Sequence, residues 1–191
     1  MKSFVLATAV AGLGAASISS AAETYKIDKA HADLLFSIEH AGFTHKHGWF
    51  RDFDGTLQYD AAKAVDSKID VTVRTDSVET GLAARDDELK GAAFFDSAKF
   101  PEMRFVSTKV VPGKNQELRI EGDLTLHGVT KPITLNAKLN KAGPNPFDQT
   151  PMLGFSGAGS IKRSDFGVTN LIPVVGDLIT IAFDVEFKRV P

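Results

Sequence analysis

Residues 117–126, ELRIEGDLTL, and residues 133–139, ITLNAKL, alternate apolar and polar side chains with a period of two. In the first run Leu118, Ile120, Leu124 and Leu126 share one face, and Arg119, Glu121, Asp123 and Thr125 the other. A strand with one buried and one solvated face reads this way, whereas a parallel strand covered on both faces would be apolar throughout. The pattern recurs outward in both directions. Leu34, Phe36, Ile38 and His40 alternate in LLFSIEH, Ile69, Val71 and Val73 in KIDVTVRT, and Ile179, Ile181, Phe183, Val185 and Phe187 in LITIAFDVEFK. With WFRDFDGTLQY, MRFVSTKVV and LGFSGAGSI, the chain holds about eight strands of roughly seven to thirteen residues, plus a short extra one at TYKID.

The links carry turn chemistry. PGKNQ and LHGVTKP each join two strands, with Pro132 placed at a strand's first position, where no ladder donor is lost. NKAGPNPFDQTPM reads as a longer loop. Between residues 77 and 101 the alternation stops. Leu82–Lys90 suits a short helix, and Asp96 is placed to cap a second turn ended by Pro101. An all-β fold of eight antiparallel strands with one helical insertion is either a sandwich or a closed barrel. Periodicity leaves both open. It also leaves open whether the interior is filled or hollow, since the glycines of GFSGAGS suit a cavity or an ordinary bend.

The amino terminus has Lys2, an apolar run from Phe4 to Ala16, and Ser20 and Ala22 at small-residue positions. This reads as a secretory signal peptide, residues 1–22, cut after Ala22. The run is too short to span a bilayer. The remaining 169 residues, 23–191, make one domain, and loss of Lys2 takes the formal charge from −2 to −3. The expected home is the periplasm. Scattered basic residues without a basic block argue against a nucleic-acid partner. The absence of cysteine excludes disulfides, zinc–thiolate sites and a cysteine nucleophile.

Three of the five histidines lie in HAGFTHKHGWF, residues 40–50. A four-residue loop over 41–44 would put His40, His45, His47 and Trp49 on the inward face, where three imidazoles could bind zinc or copper. A one-residue change of register sends His45 and His47 to solvent instead. Hydrolase chemistry is poorly served. GFSGAG falls one residue short of a nucleophile elbow and lies on a strand. Arg163 and Asp165 in IKRSDFG suit a structural ion pair, and His127 suits a turn.

GDLTLHGVTKPITL, residues 122–135, resembles the signature hairpin of the YceI-like family, also called lipid/polyisoprenoid-binding. YKIDKAHADLLFSIEHAGF, GWFRDFDGTL, ARDDELKGAAFFD, FPEMRF, IKRSDFG and VGDLITIAFDVEF follow the family's order and cover essentially all of residues 23–191. The resemblance implies an extended lipocalin-like eight-stranded barrel with an apolar lumen, a periplasmic home, often a dimer, and no catalytic activity or cofactor. The implied ligand is a long isoprenoid, either a quinone or a polyprenyl phosphate; transient contact with a membrane is a separate expectation for such a carrier. The candidate lumen is lined by Phe36, Ile38, Trp49, Phe53, Val71, Val73, Phe105, Leu124, Ile133, Leu135, Phe155, Ile181 and Phe183. His40, Arg85 and Arg163 are head-group candidates, with the helical insertion as a lid. The family's helical segment usually reads Arg-Asp-x-His-Leu and then Asp-Phe-Phe. Here Arg85, Asp86 and Leu89 match, but Glu88 replaces the histidine and Ala93 the aspartate. A carboxylate there favours a neutral head over a pyrophosphate. The alternatives are a periplasmic metal-binding protein using His40, His45 and His47, and an interaction module with a filled core.

Overall fold

A computed structural model describes residues 22–191. The expected signal peptide lies outside the described residues except for Ala22, and the first strand begins at Glu23. The strands are β1 (Glu23–His40), β2 (Thr44–Phe50), β3 (Phe53–Tyr59), β4 (Lys68–Arg74), β5 (Val78–Glu79), β6 (Glu102–Pro112), β7 (Glu117–Leu126), β8 (Val129–Pro144), β9 (Pro151–Lys162) and β10 (Val175–Arg189). One helix, α1 (Ala83–Lys90), follows β5.

Every pairing is antiparallel. The sheet runs β1-β3-β4-β6-β7-β8-β9-β10 and closes by pairing of β10 with β1, so eight strands form a complete barrel. Closure leaves these strands without a free edge along most of their length. β2 and β5 are extra: β2 returns beside the end of β1, and β5 adds to β2. WFRDFDGTLQY is therefore two strands broken at Arg51–Asp52, and TYKID is the start of β1 rather than a strand of its own. β1 reaches both β3 and β2 by bending at a bulge between Ile27 and Ala32, as bulged strands do. Lys29, inside that bulge, reaches Asp52 at 3.0 Å beside the start of β3.

The registers define two ends. His40, Arg74, Leu126 and Val175 stand at one, Glu23, Tyr59, Pro112 and Pro144 at the other. The β7–β8 turn is only His127–Gly128, both with positive φ, which is the tight hairpin turn suited to strand twist. Pro132 thus lies inside β8. Its neighbour on that stretch is β7 alone, because pairing with β9 starts only at Leu135, so its missing N–H costs no ladder bond. The 3₁₀ turn Arg163–Phe166 packs against β8 and β9 where they part, burying Phe166 almost completely. NKAGPNPFDQTPM is mostly strand, with a loop only at 145–150. The turn expected after Asp96 forms, with the Lys99 and Phe100 N–H groups donating to Asp96 O at 2.9 and 2.8 Å, but Asp96 holds it through its carbonyl at positive φ and not through its side chain.

Candidate ligand-binding lumen

The buried apolar residues fall into two clusters. One gathers around Tyr25, Phe53, Leu57, Phe155 and Phe187, the other around Phe105, Val110, Ile120, Leu126 and Phe166. Between them, inward residues of β1, β4, β8 and β10 such as Phe36, Val71, Leu135 and Ile181 are only half-buried, because they face a lumen. The cavity measures about 380 Å³, within the range of roughly 300–1,000 Å³ typical of small-molecule sites. Its lining runs from Tyr59, Ala64 and Ser67 at one end to His40, Lys46, Arg85 and Leu171 at the other, and is apolar almost throughout.

Glycines shape this lumen. Phe36 pairs with Gly48, and Phe183 with Gly157, across neighbouring strands. A β-carbon on either glycine would fall well inside van der Waals contact with the facing ring, and the same holds for Gly122 beneath Phe105. Each ring thus lies against the wall over a residue with no side chain, an arrangement known to support glycine in sheets. The glycines of GFSGAGS do admit a cavity, but indirectly: they let neighbouring side chains lie back.

Twelve of the thirteen expected lining residues line the cavity: Phe36 and Ile38 on β1, Phe53 on β3, Val71 and Val73 on β4, Phe105 on β6, Leu124 on β7, Ile133 and Leu135 on β8, Phe155 on β9, and Ile181 and Phe183 on β10. Trp49 does not. Ala41 and Gly42 both have positive φ, and the Phe43 N–H donates to His40 O at 3.0 Å, so the loop has three residues rather than four. The register becomes Ile38 opposite Lys46 and Leu35 opposite Trp49. Trp49 turns outward, where the Arg51 guanidinium carbon lies 5.2 Å from its ring centre. Phe50 takes the inward place, its ring tilted against that of Phe36 at 5.6 Å and edge-to-face with that of Phe95 at 5.5 Å.

The same shift separates the histidines. His40 pairs with Thr44, whereas His45 and His47 pair with Glu39 and Ser37 on the alternate face. The three imidazoles do not converge as a metal site. Among the described residues, the grouping able to hold a metal is instead Asp28, His31 and Glu186, on the outside at the β1 bulge.

At the mouth end, α1 sets Arg85, Glu88 and Leu89 over the lumen, as their spacing on one helical face allows. The Arg85 Nε–H donates to Thr80 Oγ1 at 2.9 Å, and the Asp86 carboxylate accepts from the Thr80 N–H at 2.8 Å. Among the described residues no carboxylate lies within ion-pairing distance of Arg85 or of Lys46, which lines the mouth from β2. Lys46 escaped the sequence reading because the four-residue loop pointed it outward.

Arg163 also touches the lumen, but its donors are engaged. They reach Gly176 O at 2.8 Å, Val175 O at 2.9 Å and Val168 O at 3.2 Å. Burial draws the pKa of the guanidinium below its ordinary value, with Asp177 opposing. The expected pair with Asp165 does not form; Asp177 lies nearby and accepts from the Ser164 N–H and hydroxyl. Those bonds, the backbone one foremost, hold Asp177 below the usual carboxylate range. Arg163 is a tie between the 163–168 corner and β10.

The family model for a YceI-like domain matches residues 25–187. The chain belongs to the YceI-like family. Protein YceI of Salmonella arizonae is 40% identical over 188 residues, covering 97% of each chain. Among solved structures, the YceI protein of Campylobacter jejuni matches with a TM-score of 0.71 at 28% identity over the whole of both chains. A polyisoprenoid-binding domain from Saccharophagus degradans matches with a TM-score of 0.66 at 16% identity, covering 87% of this chain and 98% of that one, a likeness of fold. In this YceI-like barrel the hairpin signature forms the β7–β8 turn at the mouth, where the His127 ring lies 4.6 Å from Phe100, and ARDDELK forms the helix over the lumen.

Proposed function

We propose that this YceI-like barrel is an exported carrier of a long isoprenoid amphiphile, with the tail threaded through the lumen and the polar head at the mouth. The carrying observation is the lumen itself, apolar from Tyr59 to His40 and open beside half-buried side chains. The shared fold of the Saccharophagus polyisoprenoid-binding domain supports the same ligand class. A filled-core interaction module does not fit an open lumen, and histidines on opposite faces do not favour a metal carrier.

Burying a tail of about twenty carbons gains roughly 16 kcal/mol relative to water, at ~0.8 kcal/mol per methylene. Ordering the flexible tail subtracts much of this. Relative to a bilayer, where the tail is already dry, the difference is small. Such a barrel makes an insoluble molecule transferable and still able to leave. At the mouth, Lys46 and Arg85 offer donors to an oxygen-bearing head, two cations in a lining whose one carboxylate, among the described residues, is that of Glu88. This removes the electrostatic case against a phosphate, so both a quinone carbonyl and a polyprenyl phosphate suit the site.

Delipidated protein given a long-chain ubiquinone in mild detergent micelles should take up one molecule per barrel. Ile181→Trp, which puts an indole into the lumen beside Phe36, should cut that uptake at least tenfold with an unchanged circular-dichroism spectrum. Equal uptake by both proteins would remove the lumen from the mechanism. Export is part of the reading, so protein from the producing cell should begin at Glu23; intact chain starting at Met1 would contradict it.

A further inference from the structure

Three exposed apolar side chains meet at the mouth end of the barrel. Phe43, at the tip of the β1–β2 hairpin, is 90% exposed, and Val174 and Leu171, in the loop before β10, are 59% and 50% exposed. The two tips form one platform: the Ala41 N–H donates to Val174 O at 2.8 Å, and the Val175 N–H to Leu171 O at 2.8 Å. Neither tip carries charge. Residues 41–43 read AGF and residues 167–175 read GVTNLIPVV. Leu171 holds a positive φ of 62°, a conformation that leucine rarely adopts, and its side chain both lines the lumen and meets solvent. The platform is thus the threshold of the cavity.

The flank of this platform carries hydrogen-bonding side chains and one cation. His45 and His47 are exposed on β2, Lys46 stands between them, and the nearby Glu39 carboxylate accepts from the Gly42 N–H. Uncharged apolar tips set below donors and a cation match the layering of a bilayer surface, acyl boundary beneath phosphates. We propose that the rim formed by Phe43, Leu171 and Val174 docks on a phospholipid membrane, placing the mouth at the bilayer surface so that the ligand's tail passes between lipid and lumen without crossing water. This rests on the carrier reading and names the surface from which that carrier loads.

The test uses vesicles of phosphatidylcholine with phosphatidylglycerol, with and without ubiquinone. Wild-type protein should co-sediment with them, and Phe43→Asp with Val174→Asp should weaken binding and slow quinone transfer at least tenfold. Phe147→Asp, altering a phenylalanine 94% exposed in the 145–150 loop at the opposite end, should change neither. Uptake of ubiquinone from detergent micelles should be the same in all three. Wild-type protein that ignores vesicles, or a doubly substituted rim that binds and transfers normally, would overturn the docking. So would a wild-type dimer that the rim substitutions convert to monomer, since a second copy would then be the patch's partner. Failure of micellar uptake in every protein would sink the carrier reading, and sedimentation would still decide the rim.

Discussion

Phe183 lies over Gly157 and Phe36 over Gly48, and the hollow of the barrel depends on such pairs. Gly157→Ala would push the Phe183 ring off the wall toward the lumen. Overpacking of this kind costs about 1–3 kcal/mol, to be read as a lower urea midpoint, and should also reduce ubiquinone uptake. Unchanged stability and uptake would mean the ring has another place to go. Arg163 acts at the same scale. Arg163→Met keeps most of the apolar stem but leaves the carbonyls of Val168, Val175 and Gly176 without their donors. A loss of about 2–4 kcal/mol in urea unfolding is expected. A cost near zero would mean water takes over the carbonyls and that Arg163 is free to serve a head group. Sequence could not foretell either role. The ring–glycine pairs exist only once the register is known, and a side chain that binds backbone carbonyls leaves no complementary residue to find.

Among the elements, the seam between β1 and β10 closes the barrel, and one cluster near its base makes it pH-sensitive. The Tyr25 hydroxyl donates to Glu23 Oε2 at 2.7 Å, and Arg189, opposite Tyr25 on β10, donates to Glu23 Oε1 at 2.7 Å. Burial, and then the Glu23 carboxylate, push the phenol up to about 12 from an ordinary value of 10.0. The fold therefore favours the protonated phenol. Its contribution is complete below pH about 10 and is lost as pH rises toward 12, an effect of roughly 2–3 kcal/mol. Tyr25→Phe should flatten this alkaline limb in melting curves between pH 9 and pH 12; an unaltered limb would assign it to other groups. The strands of this seam were legible because each has one apolar and one polar face. The β1–β2 loop was not. Its length turns on Ala41 taking a left-handed conformation usually left to glycine, and that one residue moved Trp49 out of the lumen and Lys46 into its mouth.

For the whole molecule, alternation supports eight antiparallel strands but not their closure, which is a long-range fact carried by the pairing of first strand with last. Resemblance supplied the barrel, and the register then decided the shape of its interior. The result is a sleeve with an apolar bore, a helix over one end and its charged lining groups, Lys46, Arg85 and Glu88 among them, at that mouth. Such a body suits a cargo with a long apolar tail and a small oxygen-bearing head.

Protein purified without detergent from the cells that make it, extracted with organic solvent and analysed by mass spectrometry, tests this most directly. One isoprenoid per barrel is the expected result, and its head group would separate a quinone from a polyprenyl phosphate. An extract without isoprenoid, from protein that also refuses added quinone and polyprenyl phosphate, would contradict the carrier.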